Sequence, residues 1–374
     1  MKLLFLNWRD RKNPRSGGAE VVTEEVLKRL SARGHECVLF TTAFPGGARE
    51  ENVDGYRVIR RGNERLGVHA WAFFLWFRRF RKERFDMVVD QIHGIPFFTP
   101  LYIRAPRVVA FIHEVAREIW LRMYPFPIGR IGYILEPYFF RPYRNIPVIT
   151  VSEATKRDLL SMNIPSSHIS IIPEAITATP LDRAPKKDSV PTIIFVGRIA
   201  KMKGVHHLLE AYAITKKQIP ALQLWLVGGG DTYKSELEAR YKHDPDITFF
   251  GFVSEETKLE LLERATILAS ASMKEGYGLV VIEAGACGTP SVVYNVDGFN
   301  EAVIHNQTGL LTAPNPPALA AGIVSLLGTW NVKRGTRNLE RETLYSSFQS
   351  SALARSRDFT FDRTTDEFEK ILRK

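Results

Sequence analysis

Two acidic residues eight positions apart, Glu275 and Glu283, bracket a glycine turn in the stretch Lys274–Pro290, KEGYGLVVIEAGACGTP. Gly276-Tyr277-Gly278 lets the backbone come close to a ligand, and a helix predicted to begin near Gly278 points its first amides at the turn. Such a terminus attracts an anion, phosphate above all. Eight residues of continuous helix would span about 12 Å, and the looped start shortens that gap. The spacing suits a ligand with hydroxyls at both ends and a diphosphate between them, as in a nucleotide sugar. On spacing alone, a surface Glu and a helical Glu beside a tight turn fit nearly as well.

A second constellation is Phe195–Gly204, FVGRIAKMKG. A strand runs into Gly197 and Arg198, then a short loop, Lys203 and a helix. Both cations fall at the carboxyl end of a strand, where ligands of open parallel sheets bind. Two fixed cations can stabilise a departing diphosphate without a metal. Taken singly, each also reads as an ordinary solvated charge.

The elements that carry these residues alternate throughout. In the first half, strands are predicted at Lys2–Leu6, Glu36–Thr41, Tyr56–Arg60, Met87–Gln91, Val108–Ile112, Val148–Val151 and Ile169–Ile172. Helices are predicted between them at Ala19–Ala32, Arg65–Arg81 and Glu153–Met162. Glu174–Pro191 has no apolar period and reads as a linker. The alternation resumes with strands at Thr192–Val196, Gln223–Val227, Thr248–Phe250, Thr266–Ala269, Ser291–Tyr294 and Gly309–Thr312. Helices lie among them at Gly204–Thr215, Lys234–Tyr241, Glu255–Arg264, Gly278–Ala286 and Pro317–Leu327. The expectation is an α/β protein with two doubly wound, Rossmann-like domains facing a cleft. The boundaries expected are 1–180, 181–350 and a helical segment 351–374, in which Thr364–Leu372 packs back on the first domain.

The 374 residues suffice for two such cores, and 45% hydrophobic with 25% charged residues is the composition of a globular protein. Cys37 and Cys287 form neither a metal-ligand pattern nor a disulfide framework, which fits a reducing cytoplasm. Met1–Asn7 is too short for a secretory signal. The formal charge is +10, and residues 1–187 carry 30 Lys and Arg against 19 Asp and Glu, while the remainder carries 21 against 22. An excess confined to one half points to an anionic partner or to a highly charged solvated face. Val68–Phe77, VHAWAFFLWF, followed by basic Arg78–Lys82, reads equally as an interfacial helix or as a core helix with a basic end. No run is long enough to span a membrane.

Together these stretches resemble the retaining glycosyltransferases of family 4, a group 1 family of GT-B fold. The match lies in Gly197-Arg198 with Lys203-Gly204, and in Glu275 and Glu283 with EAGACGTP attached. It extends to Leu226–Gly230, Phe250–Val253 and Asn295–Gly309 (NVDGFNEAVIHNQTG), and covers nearly the whole chain. The resemblance implies that Arg198 and Lys203 grip a diphosphate. It gives Glu275 the sugar hydroxyls, helped by the amides of Gly276, Tyr277, Gly278 and Leu279, and gives Glu283 the ribose. Gly197 and Gly228, with Phe252 and Val253, would receive the nucleotide. In the first domain, Gly17-Gly18-Ala19-Glu20 resembles the family's glycine loop toward phosphate and acceptor. His113, which ends the run VVAFIH, matches the family's histidine at the sugar. His93 ends DMVVDQIH in the same manner, and Ser152 reads first as a helix N-cap. The family often has Asn-Gly where this chain has Pro173-Glu174-Ala175-Ile176, a departure that changes the charge near the cleft rim.

The resemblance implies transfer from a nucleoside-diphosphate sugar with retention and without cofactor or metal. The acceptor would be a glycan, lipid-linked or of the cell envelope, not nucleic acid, and the site of action the cytoplasm or the cytoplasmic membrane face. Alternatives are a soluble sugar synthase or phosphorylase of the same fold, and a non-catalytic membrane-docked binding protein. Asp244-Pro245-Asp246 reads as a polar loop rather than a metal site, and adjacent His206 and His207 face different sides of a helix.

Overall fold

The computed structural model describes residues 1–64, 67–105, 107–330 and 339–373. It divides into two compact units, Met1–Ala175 with Thr360–Lys374, and Ile176–Phe359. Residues 351–359 therefore stay with the second unit, and the segment that joins the first is shorter than the sequence led us to expect.

The first unit holds β1 (Lys2–Leu6), α1 (Gly18–Ala32), β2 (Glu36–Thr41), β3 (Glu50–Val53), β4 (Tyr56–Arg60), α2 (Gly67–Arg78), β5 (Met87–Ile92) and β6 (Arg107–Ile112). It continues with α3 (Glu118–Met123), α4 (Ile128–Phe139), β7 (Val148–Thr150), α5 (Glu153–Ser161) and β8 (Ile169–Ile171). Its sheet has the order β3-β4-β2-β1-β5-β6-β7-β8, parallel except for the β3–β4 hairpin. The central strands are apolar runs with almost every residue buried, as a sheet covered on both faces requires. β3, EENV, half-exposed on the edge, carries no such run, so no apolar pattern marked it. The C-terminal helix Phe361–Arg373 lies on α1. Phe368 packs against Phe5 and Phe111, while Glu369 meets Arg33 at 3.0 Å and His35 at 3.1 Å.

The second unit holds β9 (Thr192–Val196), α6 (Val205–Lys216), β10 (Gln223–Val227), α7 (Thr232–Tyr241), β11 (Ile247–Gly251), α8 (Glu255–Arg264) and β12 (Ile267–Ser270). Then come α9 (Leu279–Ala286), β13 (Ser291–Tyr294), α10 (Phe299–Ala302), β14 (Gly309–Thr312), α11 (Pro316–Trp330) and α12 (Leu339–Ser356). The sheet order β11-β10-β9-β12-β13-β14 is wholly parallel, and the direction of winding reverses between β9 and β12. Such a reversal opens a crevice at the carboxyl ends of the two strands. α12 braces α9 so closely that a Cβ on Gly285 would meet the Ala352 carbonyl at 2.8 Å.

Two expectations change. The predicted linker forms no helix or strand between Ile172 and Pro191, yet it is packed: Ala175, Ile176, Ala178 and Lys187 are buried. Lys187 donates to the carbonyls of Glu263 (2.8 Å) and Cys287 (3.1 Å) and to the Thr289 hydroxyl (2.5 Å). Those carbonyls end α8 and α9, where helix dipoles favour a cation, although burial pushes the ammonium down to about 7. The long helix predicted from Arg65 begins at Gly67 and ends at Arg78, followed by a 3-10 turn over Phe80–Glu83; Arg65 and Leu66 lie outside the described residues.

Candidate donor site and histidine pair

In the second unit the loops after β9 and β12 meet at the reversal point. Gly204 has φ +62°, and a Cβ there would fall 2.0 Å from the Ala271 carbonyl, so only glycine lets the two loops touch. The contact carries Lys203 to Glu275, 72 residues away in sequence. Its ammonium donates to both carboxylate oxygens at 2.7 Å. Glu275 is pinned from behind. Its amide donates to the Asp297 carbonyl at 3.1 Å, and Gly298 abuts its backbone, leaving no room for a Cβ. Gly276 and Tyr277 complete the turn, with Tyr277 buried against Phe359. Gly278 caps α9 and Leu279 opens it, so the first amides of α9 have no partner within the helix.

Arg198 is exposed directly after β9, and the pair with Glu275 is made by Lys203 rather than by it. Glu283 sits on the second turn of α9 and meets Lys258 of α8 at 2.9 Å, while Lys258 also reaches Glu255 at 2.8 Å. Burial raises the Glu283 carboxyl above the ordinary range, and the Lys258 ammonium opposes that rise. Both carboxylates of the pair thus have a lysine counter-ion. Lys258 was missed in the sequence, where it is one charge in the polar run EETKLE.

Gly197, Gly228 and Gly251 end the neighbouring strands β9, β10 and β11. The Gly197 amide donates to Val227 and that of Gly228 to Gly251, which makes a ledge of bare backbone at the carboxyl edge. Beyond it Phe252 is 86% exposed, an unusual cost for a free-standing aromatic ring, and Val253 is half-buried beside it.

In the first unit Gly17 and Gly18 are exposed at the start of α1, and the Glu20 carboxylate accepts the Gly17 amide at 2.7 Å, which caps the helix. His113 follows β6 and is buried. Its Nδ1 lies 2.5 Å from Glu174 Oε1, and its Nε2 has no partner among the described residues. His93, after neighbouring β5, stacks on it with centroids 5.4 Å apart and planes at 17°. Burial, with His113 and Arg9 adding, pushes the His93 imidazole down to about 3. Glu174, noted in the sequence only as a departure, is thus the partner of His113. No local signal could show this, since 61 residues separate them.

Ser152 caps α5 through the Thr155 amide. Asp246 is held by Lys216 at 2.6 Å. His206 and His207 bond to different tyrosines, Tyr233 and Tyr294.

Residues 181–338 match the family model of glycosyl transferases group 1, and residues 16–179 match that of glycosyltransferase family 4. Across 386 aligned positions the chain is 25% identical to an uncharacterized glycosyltransferase of Methanocaldococcus jannaschii, covering 95% of this chain and 96% of that protein. In fold it is similar to sucrose-phosphate synthase of Thermosynechococcus elongatus, with a TM-score of 0.80, 21% identity, and coverage of 100% and 98%. It is also similar to Anabaena HepE in complex with UDP-glucose, with a TM-score of 0.73, 18% identity, and coverage of 100% and 99%.

Proposed function

We propose, from the premise that this chain belongs to the group 1, family 4 glycosyltransferases of GT-B fold, that it moves a sugar from a nucleoside-diphosphate donor to a glycan acceptor with retention and without a metal. The observation that carries this reading is the Lys203–Glu275 pair at the head of α9. An exchangeable ion pair offers a cation to the diphosphate and a carboxylate to sugar hydroxyls in one step. Arg198 and the first amides of α9 add to the field that stabilises the leaving diphosphate. Glu283 takes the ribose, and the glycine ledge at Gly197 and Gly228, with Phe252 and Val253, takes the nucleotide. The resemblance gives the first unit's Gly17 and Gly18 the phosphate and its His113 the sugar.

In this reading the acceptor oxygen forms its bond to the anomeric carbon on the face from which the diphosphate leaves. The acceptor proton passes to the departing phosphate oxygen, so no enzyme nucleophile is needed. Rate comes from positioning and charge stabilisation. The acceptor we favour is lipid-linked or of the cell envelope, reached at the cytoplasmic membrane face, because the basic excess lies within residues 1–187.

The experiment is a thermal-shift screen of nucleotide sugars, followed by sugar release with EDTA present. A ligand that binds only the folded state raises its stability by RT ln(1 + [L]/Kd). We expect one donor to raise the melting temperature and to be turned over in EDTA. Activity abolished by EDTA and restored by Mg²⁺ or Mn²⁺ would overturn the metal-free reading. No response to any nucleotide sugar would overturn the donor site.

A further inference from the structure

Helix α4 is packed inside out. A surface helix normally turns its apolar stripe to the core. Here the positions facing the protein are Gly129, Gly132 and Glu136, while Ile128, Ile131, Ile134, Leu135 and Tyr138 are exposed. The arrangement is built in. A Cβ on Gly132 would fall 2.4 Å from the Trp120 ring, and one on Gly129 would fall 2.5 Å from the Trp120 carbonyl. Fully buried Glu136 accepts the amides of Ala116 (2.9 Å) and Arg117 (2.6 Å). The helix therefore cannot roll its apolar face inward without burying isoleucines where glycine is required and freeing that carboxylate.

The exposed face does not stand alone. Phe139 of α4 meets Phe98 edge-on at 5.8 Å. Leu101, in the following 3-10 turn, is exposed, and its neighbour Tyr102 meets Phe73 and Phe77 of α2. α2 buries Val68, Ala72 and Trp76 and exposes Trp71, Phe73, Phe74 and Phe77. A second buried acid, Asp90, holds this link from below, accepting from Thr99 Oγ1 at 2.6 Å and Tyr143 OH at 2.5 Å. Of the 19 large apolar side chains exposed among the described residues, 13 lie between Trp71 and Tyr138. Those on α2 and on α4 are joined into a belt through the Phe98–Tyr102 turn.

Charge names the occupant. Residues 67–144 contain 12 Lys and Arg against 6 Asp and Glu, so the stretch that carries the belt also carries most of the chain's excess. Two of the arginines lie over belt rings, Arg78 over Phe74 and Arg141 over Tyr138, and Arg81, Lys82, Arg84 and Arg104 are exposed nearby. Apolar and aromatic bodies with cationic rims fit a bilayer interface, acyl chains below and anionic headgroups at the edge.

We infer that the α2–α4 belt is the surface by which this protein docks on an anionic lipid bilayer. The inference deepens the proposed function and rests on its membrane-linked acceptor. Its test does not require that acceptor.

The full chain is sedimented with vesicles of phosphatidylglycerol and phosphatidylcholine, and with vesicles of phosphatidylcholine alone, at low and high salt. We expect binding to the anionic vesicles, weaker at high salt, because screening shortens the reach of surface charge. Ile131→Gln/Ile134→Gln/Leu135→Gln should lower it about tenfold. Because these side chains are already in water, the melting temperature and hydrolysis of donor in solution should hold. Those two readouts separate failure of docking from failure of the donor site. Should the triple variant not fold, Ile131→Cys carrying an environment-sensitive dye serves instead; Cys37 and Cys287 are buried, so the label goes to the belt. Its emission should move to the blue with anionic vesicles. The inference is overturned by equal sedimentation of parent and variant, by no binding to either vesicle, by a silent dye, or by a lipid-free dimer that the substitutions dissolve.

Discussion

In the second unit, the loops that follow two neighbouring strands meet as an ion pair, Lys203 on Glu275. In the first unit, the loops after neighbouring β5 and β6 meet as two stacked imidazoles, His93 on His113. The sheets are built alike, and the polar groups at their carboxyl edges are treated in opposite ways. Lys203 and Glu275 form a partly exposed ion pair. His93 is half-buried and held uncharged, and His113 has one nitrogen tied to Glu174 and the other left open. His93 offers no cation, and His113 Nε2 is an open hydrogen-bonding nitrogen. One architecture thus places an ion pair at one carboxyl edge and an imidazole pair at the other.

The sharpest way to break that contrast is at the ion pair. Lys203→Ala and Glu275→Ala are each expected to lower turnover by about 10²–10³, the usual scale for losing one preorganised group that stabilises charge. Melting curves should show the fold retained. Rates within a few-fold of the parent in both folded variants would remove Lys203 and Glu275 from the chemistry and leave the contrast empty.

The histidine side is tested through Glu174. A carboxylate on Nδ1 fixes the tautomer and orientation of the ring. We expect Glu174→Ala to lower turnover about 10–100-fold, by analogy with the loss of a group that orients a metal-ligating histidine, with Glu174→Gln retaining more. ¹⁵N spectra should place the proton on Nδ1 in the parent and mixed between the nitrogens in Glu174→Ala. An unchanged tautomer would mean that Glu174 does not position the ring.

Lys258→Met asks how far the second unit depends on paired charge. It leaves the Glu283 carboxylate with little water and no cation. Breaking a buried pair costs about 3–5 kcal/mol, and the remaining exposure here reduces that to about 1–3 kcal/mol. Because burial raises the folded-state carboxyl of Glu283, protonation relieves the variant. The gap in melting temperature between parent and Lys258→Met should be widest at neutral pH and narrow as pH falls toward the usual carboxyl range. A gap that does not change with pH would mean that the unpaired charge is not its cause.

The smallest effect belongs to the docking of the C-terminal helix on the first unit. Hydrogen bonds from Arg373, His35 and Arg33 hold the Glu369 carboxyl down to about 2, against 4.5 ordinarily. A carboxyl lowered on folding contributes stability above its unfolded value and loses it as pH falls through the folded one. Docking should therefore weaken between pH 4.5 and 2, by no more than about 1 kcal/mol because solvent screens the pair. Hydrogen exchange in Phe361–Arg373 should quicken over that window, and Glu369→Gln should flatten the response.

Much of this was legible in the chain. Short apolar runs such as TIIFV and KLLFL read as strands buried on both faces, and their alternation with amphipathic stretches argues for parallel sheets. Glycines beside charges marked the strand ends, so Lys203, Glu275 and Glu283 stood out as candidates. The short edge strand Glu50–Val53 and the helices α3 and α4 escaped: a charged edge carries no apolar run, and two glycines with Pro137 inside α4 argue locally against a helix.

What the sequence determined by itself is the type of most elements and which of their faces is apolar, for these depend on neighbours a few residues away. It did not determine which partners meet across long loops. Lys203 finds Glu275 because Gly204 admits close contact, Glu174 finds His113 across 61 residues, and Lys258 finds Glu283 only once α8 lies beside α9. Nor did it determine which way an apolar face turns. The stripe of α4 would be assigned to the core by its pattern, and it faces water because Gly129, Gly132 and Glu136 fix the other side against the fold. Periodicity records that a helix has two faces, and packing against the rest of the chain decides which of them is left outside.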